Sequence, residues 1–459
     1  MSVTDDRFAR MRPFNAGMAG QLGDAQLPPG PRWPTFFQSV ALVRFRHQFV
    51  PAMHRRYGDV FTVRIMPKGS ALVLFTRPEH AREIFAGNPE EFHAGKGNAI
   101  LGPIMGEHSL LLQDGQAHKR ARKLLMPAFN GAALRGYQSL VSTIAREEVE
   151  RWVPGRQFRA LDRMNALTLE VILRVVFGVS DETRLSRLRP LVTRTVDISP
   201  AVLLGWGYPL LQRFGPWKAT VDNQRRLDEV MYAEIADRRG ATDLDDRTDV
   251  LSRLLTVGEE DDEAPLSDAE LRDQLVTLLL AGHETTATAL AWTLYELGRD
   301  PEQLTGAQAA ADAGDDDRLE AVLKESLRLH PVIPMVVRHL MAPATIGGID
   351  LPAGANIGPS ILLGHARADN FPEPERFRPE RFSDGEVAPN TWIPFGGGVR
   401  RCIGAGFSLM EGVAVLREVL TRYDVALAPR TRDFPRVRNI TSVPRHGARV
   451  VVRPRRTVS

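Results

Sequence analysis

Phe395-Gly-Gly-Gly-Val-Arg-Arg-Cys-Ile-Gly404 carries the only cysteine of the 459-residue chain, Cys402, and a helical pattern runs behind it from Ala405 to Tyr423. Five glycines in twelve residues, at 396, 397, 398, 404 and 406, let the backbone approach a flat object closely. A cysteine just ahead of a helix N-terminus gains thiolate character from the dipole and the free N–H groups. For a lone cysteine a buried structural role is the ordinary reading. The glycines, with Arg400 and Arg401 beside the thiol, point instead to a ligand or a nucleophile. A nucleophile asks for a histidine base, and none of the eleven histidines stands in a recognisable protease-type arrangement, although spatial neighbours are invisible in a sequence.

Composition narrows the field. With 43% apolar, 25% charged and 7% aromatic residues the chain has the profile of a soluble globular protein, which excludes disorder, collagen-like repeats and a disulfide mini-scaffold. One cysteine excludes an intramolecular disulfide and any zinc site built on several thiolates. The 59 basic side chains against 56 acidic ones leave a formal charge of +3, too little for a nucleic-acid binder. Only six of the basic residues are lysines, a skew that reads as genome composition and makes any arginine motif cheap. The first 26 residues include Asp5, Asp6, Arg7, Arg10 and Arg12 and hold no signal-peptide core, and no later stretch reaches the length of a membrane span. A cytoplasmic protein with no integral membrane segment is expected.

The turn-rich Leu27-Pro-Pro-Gly-Pro31 separates a polar arm, residues 1–26, from a region with strand-like patches at Val60–Ile65 and Ala71–Phe75. Helical spacing dominates to about residue 340; from Ala342 to Phe395 glycines and prolines predict short strands and coil, and Ile440 to Val452 reads as a closing hairpin. With no internal repeat and no flexible linker, residues 27–459 are expected to form one unit. Its best-defined helix opens on the capping box Ser267-Asp-Ala-Glu270 and runs to Gly298, some 45 Å at about 1.5 Å per residue. Its middle, Leu275 to Gly282, is apolar on every side and so expected to be buried, and His283-Glu284-Thr285-Thr286 follows at once. Polar groups in a buried helix are hydrogen-bonded or used. Gly282, a residue that costs a helix about 1 kcal/mol relative to alanine, leaves room for something to lie against the backbone. An axial thiolate to heme iron needs a glycine-lined ribbon, arginines for the propionates and a buried helix across the other face, and all three occur.

The chain resembles the cytochrome P-450 family of heme-thiolate monooxygenases. Phe395 to Gly404 matches the family's Phe-x-x-Gly-x-Arg-x-Cys-x-Gly signature at every fixed position, Ala281-Gly-His-Glu-Thr-Thr286 matches its oxygen-activating stretch, Glu325-Ser-Leu-Arg328 its Glu-x-x-Arg element, and Pro379-Glu-Arg-Phe382 supplies the second arginine, Arg381. Six Glu-x-x-Arg pairs occur, starting at Glu79, Glu148, Glu296, Glu325, Glu373 and Glu375; a surface ion pair is the reading kept for all but Glu325. The resemblance implies a mainly α fold with a smaller β region, a long buried central helix over the heme and the thiolate loop on the opposite face. It implies heme b as cofactor with Cys402 as axial iron ligand, and His118, Arg122, Arg338, Phe395, Arg400 and Gly404 around the heme. O2 is the implied co-substrate, with oxygen activation assigned to Gly282, which opens a groove, and to Glu284 and Thr285, which handle protons. Glu325, Arg328 and Arg381 form a structural triad. Ile100, Leu101, Ile104, Leu280, Ala281, Ile333, Met335, Val336, Ile440 and Thr441 are the implied walls of a pocket for a hydrophobic small molecule. No Gly-x-Gly-x-x-Gly stretch occurs, so no NAD(P) or flavin is expected in this chain. Electrons are expected from a ferredoxin or flavodoxin with its reductase, docking where Lys119, Arg120, Lys123, Arg401 and Arg417 collect. A heme-thiolate peroxygenase or isomerase that works without external electrons is the alternative.

Overall fold

The computed structural model describes residues 27–455, apart from 67–68, 179–180, 199–201, 203–209, 258–263, 384 and 386. The expected arm, 1–26, lies outside them. The fold is mainly helical with small sheets. Before the first third ends come α1 (Thr35–Arg44), α2 (Arg46–Tyr57), β1 (Val60–Ile65), β2 (Ser70–Phe75), α3 (Pro78–Ala86), β3 (Phe92–His93), α4 (Gly115–Leu125) and α5 (Gly131–Glu150). The helical body adds β4 (Gln157–Arg159), α6 (Ala160–Phe177), α7 (Glu182–Val196), α8 (Gly215–Arg239), α9 (Val250–Thr256), α10 (Asp268–Arg299), α11 (Pro301–Ala313) and α12 (Asp316–Leu329). The remainder holds β5 (Arg338–Leu340), β6 (Ala344–Ile346), β7 (Ile349–Leu351), β8 (Asn356–Pro359), α13 (Ala405–Leu420), β9 (Tyr423–Leu427), β10 (Pro435–Arg438), β11 (Thr441–Pro444) and β12 (Arg449–Pro454).

The largest sheet has the order β1-β2-β8-β5-β3, antiparallel except for the β2–β8 pair, where Leu72 to Phe75 run alongside Asn356 to Pro359. The tail is not one hairpin as expected. β10 and β11 form a hairpin turned by Asn439 at φ 54°, and β12 returns to pair with β9 and β4, because its alternating Val450 and Val452 are wanted in the main core.

The capping box forms as read: the Ser267 hydroxyl accepts from the Glu270 N–H at 3.3 Å and the Ser267 N–H donates to the Glu270 carboxylate at 2.9 Å, which satisfies two free helix donors. From there α10 crosses the main core, with Leu275, Leu279, Leu290, Trp292 and Leu294 in one cluster with Val176 and Phe177 of α6 and Leu416 and Val419 of α13. Each fully buried aliphatic or aromatic side chain of that cluster contributes about 1.5–3 kcal/mol relative to exposure. The Thr286 and Ser408 hydroxyls meet at 3.1 Å and tie α10 to α13, the helix that follows Cys402. Packing thus brings the two sequence motifs, more than a hundred residues apart, onto adjoining elements.

Candidate active site

The loop carrying Cys402 is folded back on itself by the Cys402 N–H, which donates to the Phe395 carbonyl at 2.9 Å. Gly398 sits at φ 63°, and a Cβ there would lie 2.1 Å from the Phe85 carbonyl, so glycine is needed for close approach to α3. The Cys402 side chain is exposed to a solvent-sized space although protein surrounds it. Burial raises the thiol pKa, opposed by the Gly404 N–H, Arg122 and Arg401. A cation coordinated by the sulfur would favour the thiolate.

Opposite properties mark the middle of α10. Leu275 to Leu279 are buried as expected, but Ala281 is exposed and Leu280, Gly282 and Thr285 are partly so, an opening inside an otherwise covered helix. The Thr285 hydroxyl donates to the Ala281 carbonyl at 2.7 Å. Gly282 has a different neighbour from the one expected. A Cβ on it would lie 2.8 Å from Ile172 Cδ1, so its missing side chain admits α6 and is not by itself a groove. His283 is buried and bonded at Nδ1 to the Leu279 carbonyl at 2.8 Å. Glu284 is buried as well, and desolvation pushes its carboxyl up to about 7, with Thr441 Oγ1 at 3.4 Å pulling the other way. Arg438 Nε lies 3.4 Å from the same oxygen, and that guanidinium is also paired with Asp197.

The expected propionate partners form a single cluster. His118 and Arg122 lie on α4, Arg338 opens β5 and Arg400 stands two residues before the cysteine; His118 is held down at about 4 by burial, then by Arg400 and Arg122, with Asp114 opposing. Burial also lowers Arg338 to about 10, aided by Arg400. Asp114 pairs with Arg400 and accepts the Gly95 and Lys96 N–H groups at 2.8 and 3.0 Å. Three guanidiniums around a neutral histidine and one committed carboxylate leave an excess of buried positive charge, which an anionic ligand would relieve. Among the described residues no group of three or more His, Cys, Asp or Glu side chains is placed to hold a metal ion. One thiol facing open space, a close-packed glycine ribbon and a surplus of arginines fit heme b.

The structural triad is assembled. Arg328 holds Glu325 through two bonds of 2.7 and 2.9 Å, Arg381 Nε reaches it at 3.3 Å, and the Arg378 N–H donates at 2.9 Å, all three side chains being buried. Two of the pairs read as surface bridges have a buried acid under an exposed arginine. Glu148 is buried, 2.7 Å from Arg163 and 3.0 Å from Trp152 Nε1, and Glu296 is buried, 2.7 Å from His330. Their helices face the core, which a three-residue spacing does not reveal.

The expected pocket residues divide. Ile100, Ile104 and Leu280 gather with Ile198, Val202, Val221 and Trp217 in one small apolar cluster. Val336 sits near the cysteine loop, 3.9 Å from where a Gly396 Cβ would be, while Met335 packs in the cluster of β1 and β2. Leu101 is buried and Ile333 partly buried. Ile440 is corrected: it occupies the β10–β11 turn and is 41% exposed. Of the expected docking cations, Lys119, Lys123 and Arg401 are exposed, but Arg120 binds Glu270 at 2.7 Å and Arg417 pairs with Asp316, so these two hold the fold together. Sequence reading missed Ser408 and the fully buried Glu411 on α13, an acid whose pKa burial raises far above its usual range while Thr286 opposes. An acid set inside the apolar run after Cys402 was the available signal.

A sequence profile described as Cytochrome P450 matches residues 28–448. Cytochrome P450 135A1 of Mycobacterium tuberculosis is 55% identical over 431 residues, covering 94% of this chain and 96% of that protein. Cytochrome P450 135B1 of Mycobacterium bovis is 41% identical, covering 94% and 93%. Among solved structures, cyanobacterial CYP120A1 with retinoic acid bound superposes with a TM-score of 0.83 at 24% identity, covering 94% of this chain and 99% of that one, a likeness of fold.

Proposed function

The chain belongs to the cytochrome P450 family of monooxygenases, and from that premise we propose that it inserts one atom of dioxygen into a hydrophobic small molecule with electrons from a separate ferredoxin or flavodoxin and its reductase. Heme b, when bound, supplies reductive activation of dioxygen, favoured by an electron-donating thiolate. Cys402 would hold its iron, and His118, Arg122, Arg338 and Arg400 its carboxylates. A neutral His118 would donate an N–H without adding charge, while the arginines would supply charge-assisted bonds. Thr285 can release its bond to the Ala281 carbonyl and turn its hydroxyl toward the open space, and Glu284, titrating near neutrality, can take up and release a proton. The aliphatic cluster of Ile100, Ile104 and Leu280 carries no charged anchor, which suits a lipid, terpenoid, steroid or macrolide-like substrate.

The observation that carries this reading is the Cys402 thiol opened to interior space beside an arginine cluster with one committed acid. It is tested by turnover with a reductase system and oxygen against peroxide alone. Product that requires reductant supports the monooxygenase; equal product from peroxide alone favours the peroxygenase alternative.

A further inference from the structure

Helix α1 packs Ala41 and Leu42 against the cluster of β1 and β2, yet it is apolar on its outer side as well. Its inner side carries Gln38, fully buried, whose amide donates to the Pro31 and Trp33 carbonyls at 3.0 and 2.6 Å and accepts the Arg64 N–H at 2.8 Å, and Ser39, whose hydroxyl accepts the Met66 N–H at 2.8 Å. Its outer side carries Phe36, Phe37, Val40 and Val43, at helical spacings, with Trp33 just before; Phe36 is 62% and Phe37 59% exposed. A helix on an aqueous surface is ordinarily polar on its outer side. The apolar face continues into Phe45 and, across the turn that Arg46 binds through the Asn439 and Ile440 carbonyls, into Ile440. Contiguous exposed apolar surface of this kind marks an interaction site.

Charge identifies the partner. Residues 27–58 contain five arginines and neither aspartate nor glutamate. Arg32, Arg44, Arg55 and Arg56 are exposed, and none of them has an acidic partner among the described residues. Arg44 and Arg56 lie over the rings of Phe45 and Tyr57, at 6.0 and 5.6 Å. Aromatic and aliphatic side chains facing outward within a rim of arginines match an anionic bilayer surface, whose acyl boundary takes the apolar face and whose headgroups take the guanidiniums. Among the described residues no helix is long and apolar enough to cross a membrane, so the contact is peripheral.

We propose that Trp33, Phe36, Phe37, Val40 and Val43, rimmed by Arg32, Arg44, Arg55 and Arg56, dock the protein on an anionic lipid bilayer. Val43 and Arg44 share a cavity of about 260 Å³ with Asp197, Ile198 and Arg438, the residue that reaches Glu284. The inference stands apart from the reaction proposed above and is tested without it.

The full-length holoenzyme is sedimented with vesicles of phosphatidylcholine alone and of phosphatidylcholine mixed equally with phosphatidylglycerol. Binding to the mixed vesicles is expected to be about tenfold tighter or more at low salt and to weaken as salt rises. Phe36→Ser with Phe37→Ser should reduce that binding about tenfold or more, and Arg32→Gln with Arg55→Gln and Arg56→Gln should erase the anionic preference. All five positions are exposed, so heme content and melting temperature should stay at wild-type values; Val40→Ser alone serves if the phenylalanine pair fails to fold. Failure of the wild type to bind either vesicle overturns the proposal, and so does binding unchanged by the phenylalanine substitutions. A concentration-dependent dimer dissolved by Phe36→Ser also overturns it, since a second copy then covers the face. None of these outcomes touches the heme spectrum, which tests the catalytic reading separately.

Discussion

Cys402, Thr285 and Glu284 each answer a different question about the site. Replacing Cys402 with histidine is expected to move the Soret band of the reduced carbon-monoxide complex from the thiolate-ligated to the imidazole-ligated position, or to abolish heme binding; an unchanged thiolate spectrum would exclude Cys402 as ligand. Thr285→Ala should retain heme and the substrate-induced spin shift while diverting reducing equivalents to hydrogen peroxide, measured as product formed per electron consumed. Full coupling in that variant would mean that a substrate hydroxyl or a water does the work. Glu284 makes a claim about pH. Its carboxyl stands at about 7 in the folded chain against an ordinary 4.5, so below about 4.5 both states keep the proton and it contributes nothing. As pH rises from about 4.5 to 7 the unfolded chain releases the proton first, and stability falls by at most roughly 3 kcal/mol. Glu284→Gln should flatten that slope in denaturant titrations and gain stability at pH 8 relative to pH 5. These three residues were legible because each sits in a dense motif. Arg438 was not: in a chain this rich in arginine nothing in the sequence connects it with an acid 154 residues earlier, and only the β10–β11 hairpin brings them together.

At the scale of elements, α12 and the coil after Phe371 are locked by Glu325. Removing that carboxylate leaves Arg328 and Arg381 buried without their counter-charge, a loss of about 3–5 kcal/mol. Glu325→Ala should therefore give mainly heme-free or insoluble protein, whereas Glu79→Ala, an exposed member of the same sequence pattern, should change the unfolding free energy by less than about 0.5 kcal/mol. Comparable effects from both would contradict the triad. The elements were readable to the extent that their signals were local. The Ser267 capping box fixed the start of α10, and the glycines and prolines after Ala342 marked a stretch of short strands and coil, where β6, β7 and β8 lie. Burial of Glu148 and Glu296 was not readable, because an i,i+3 pair looks alike on a wet and a dry face, and the exposure of Ala281 was hidden in a run of uniformly apolar letters.

Over the whole molecule, the expected cationic docking face shrinks to Lys119, Lys123 and Arg401 once Arg120 and Arg417 are seen to serve the fold. Lys119→Glu with Arg401→Glu should slow reduction by an acidic ferredoxin by about tenfold at low ionic strength, and the difference should narrow in high salt, as stopped-flow reduction would record. Equal rates would place electron entry elsewhere. Net charge and composition could exclude classes of partner but could not locate a face, since that depends on which arginines the packing consumes. Helix α1 shows how far such consumption reaches. Gln38 occupies the outward N–H of Arg64 on β1, the terminal strand of its sheet, and Ser39 that of Met66 in the turn just after it. The helix is thus a shutter over an adhesive margin. Lifting it would bare unsatisfied donors able to recruit a strand from another molecule, so the shelf life of the purified protein, judged by turbidity on storage, should be governed by the seating of α1 long before the heme-bearing core begins to melt.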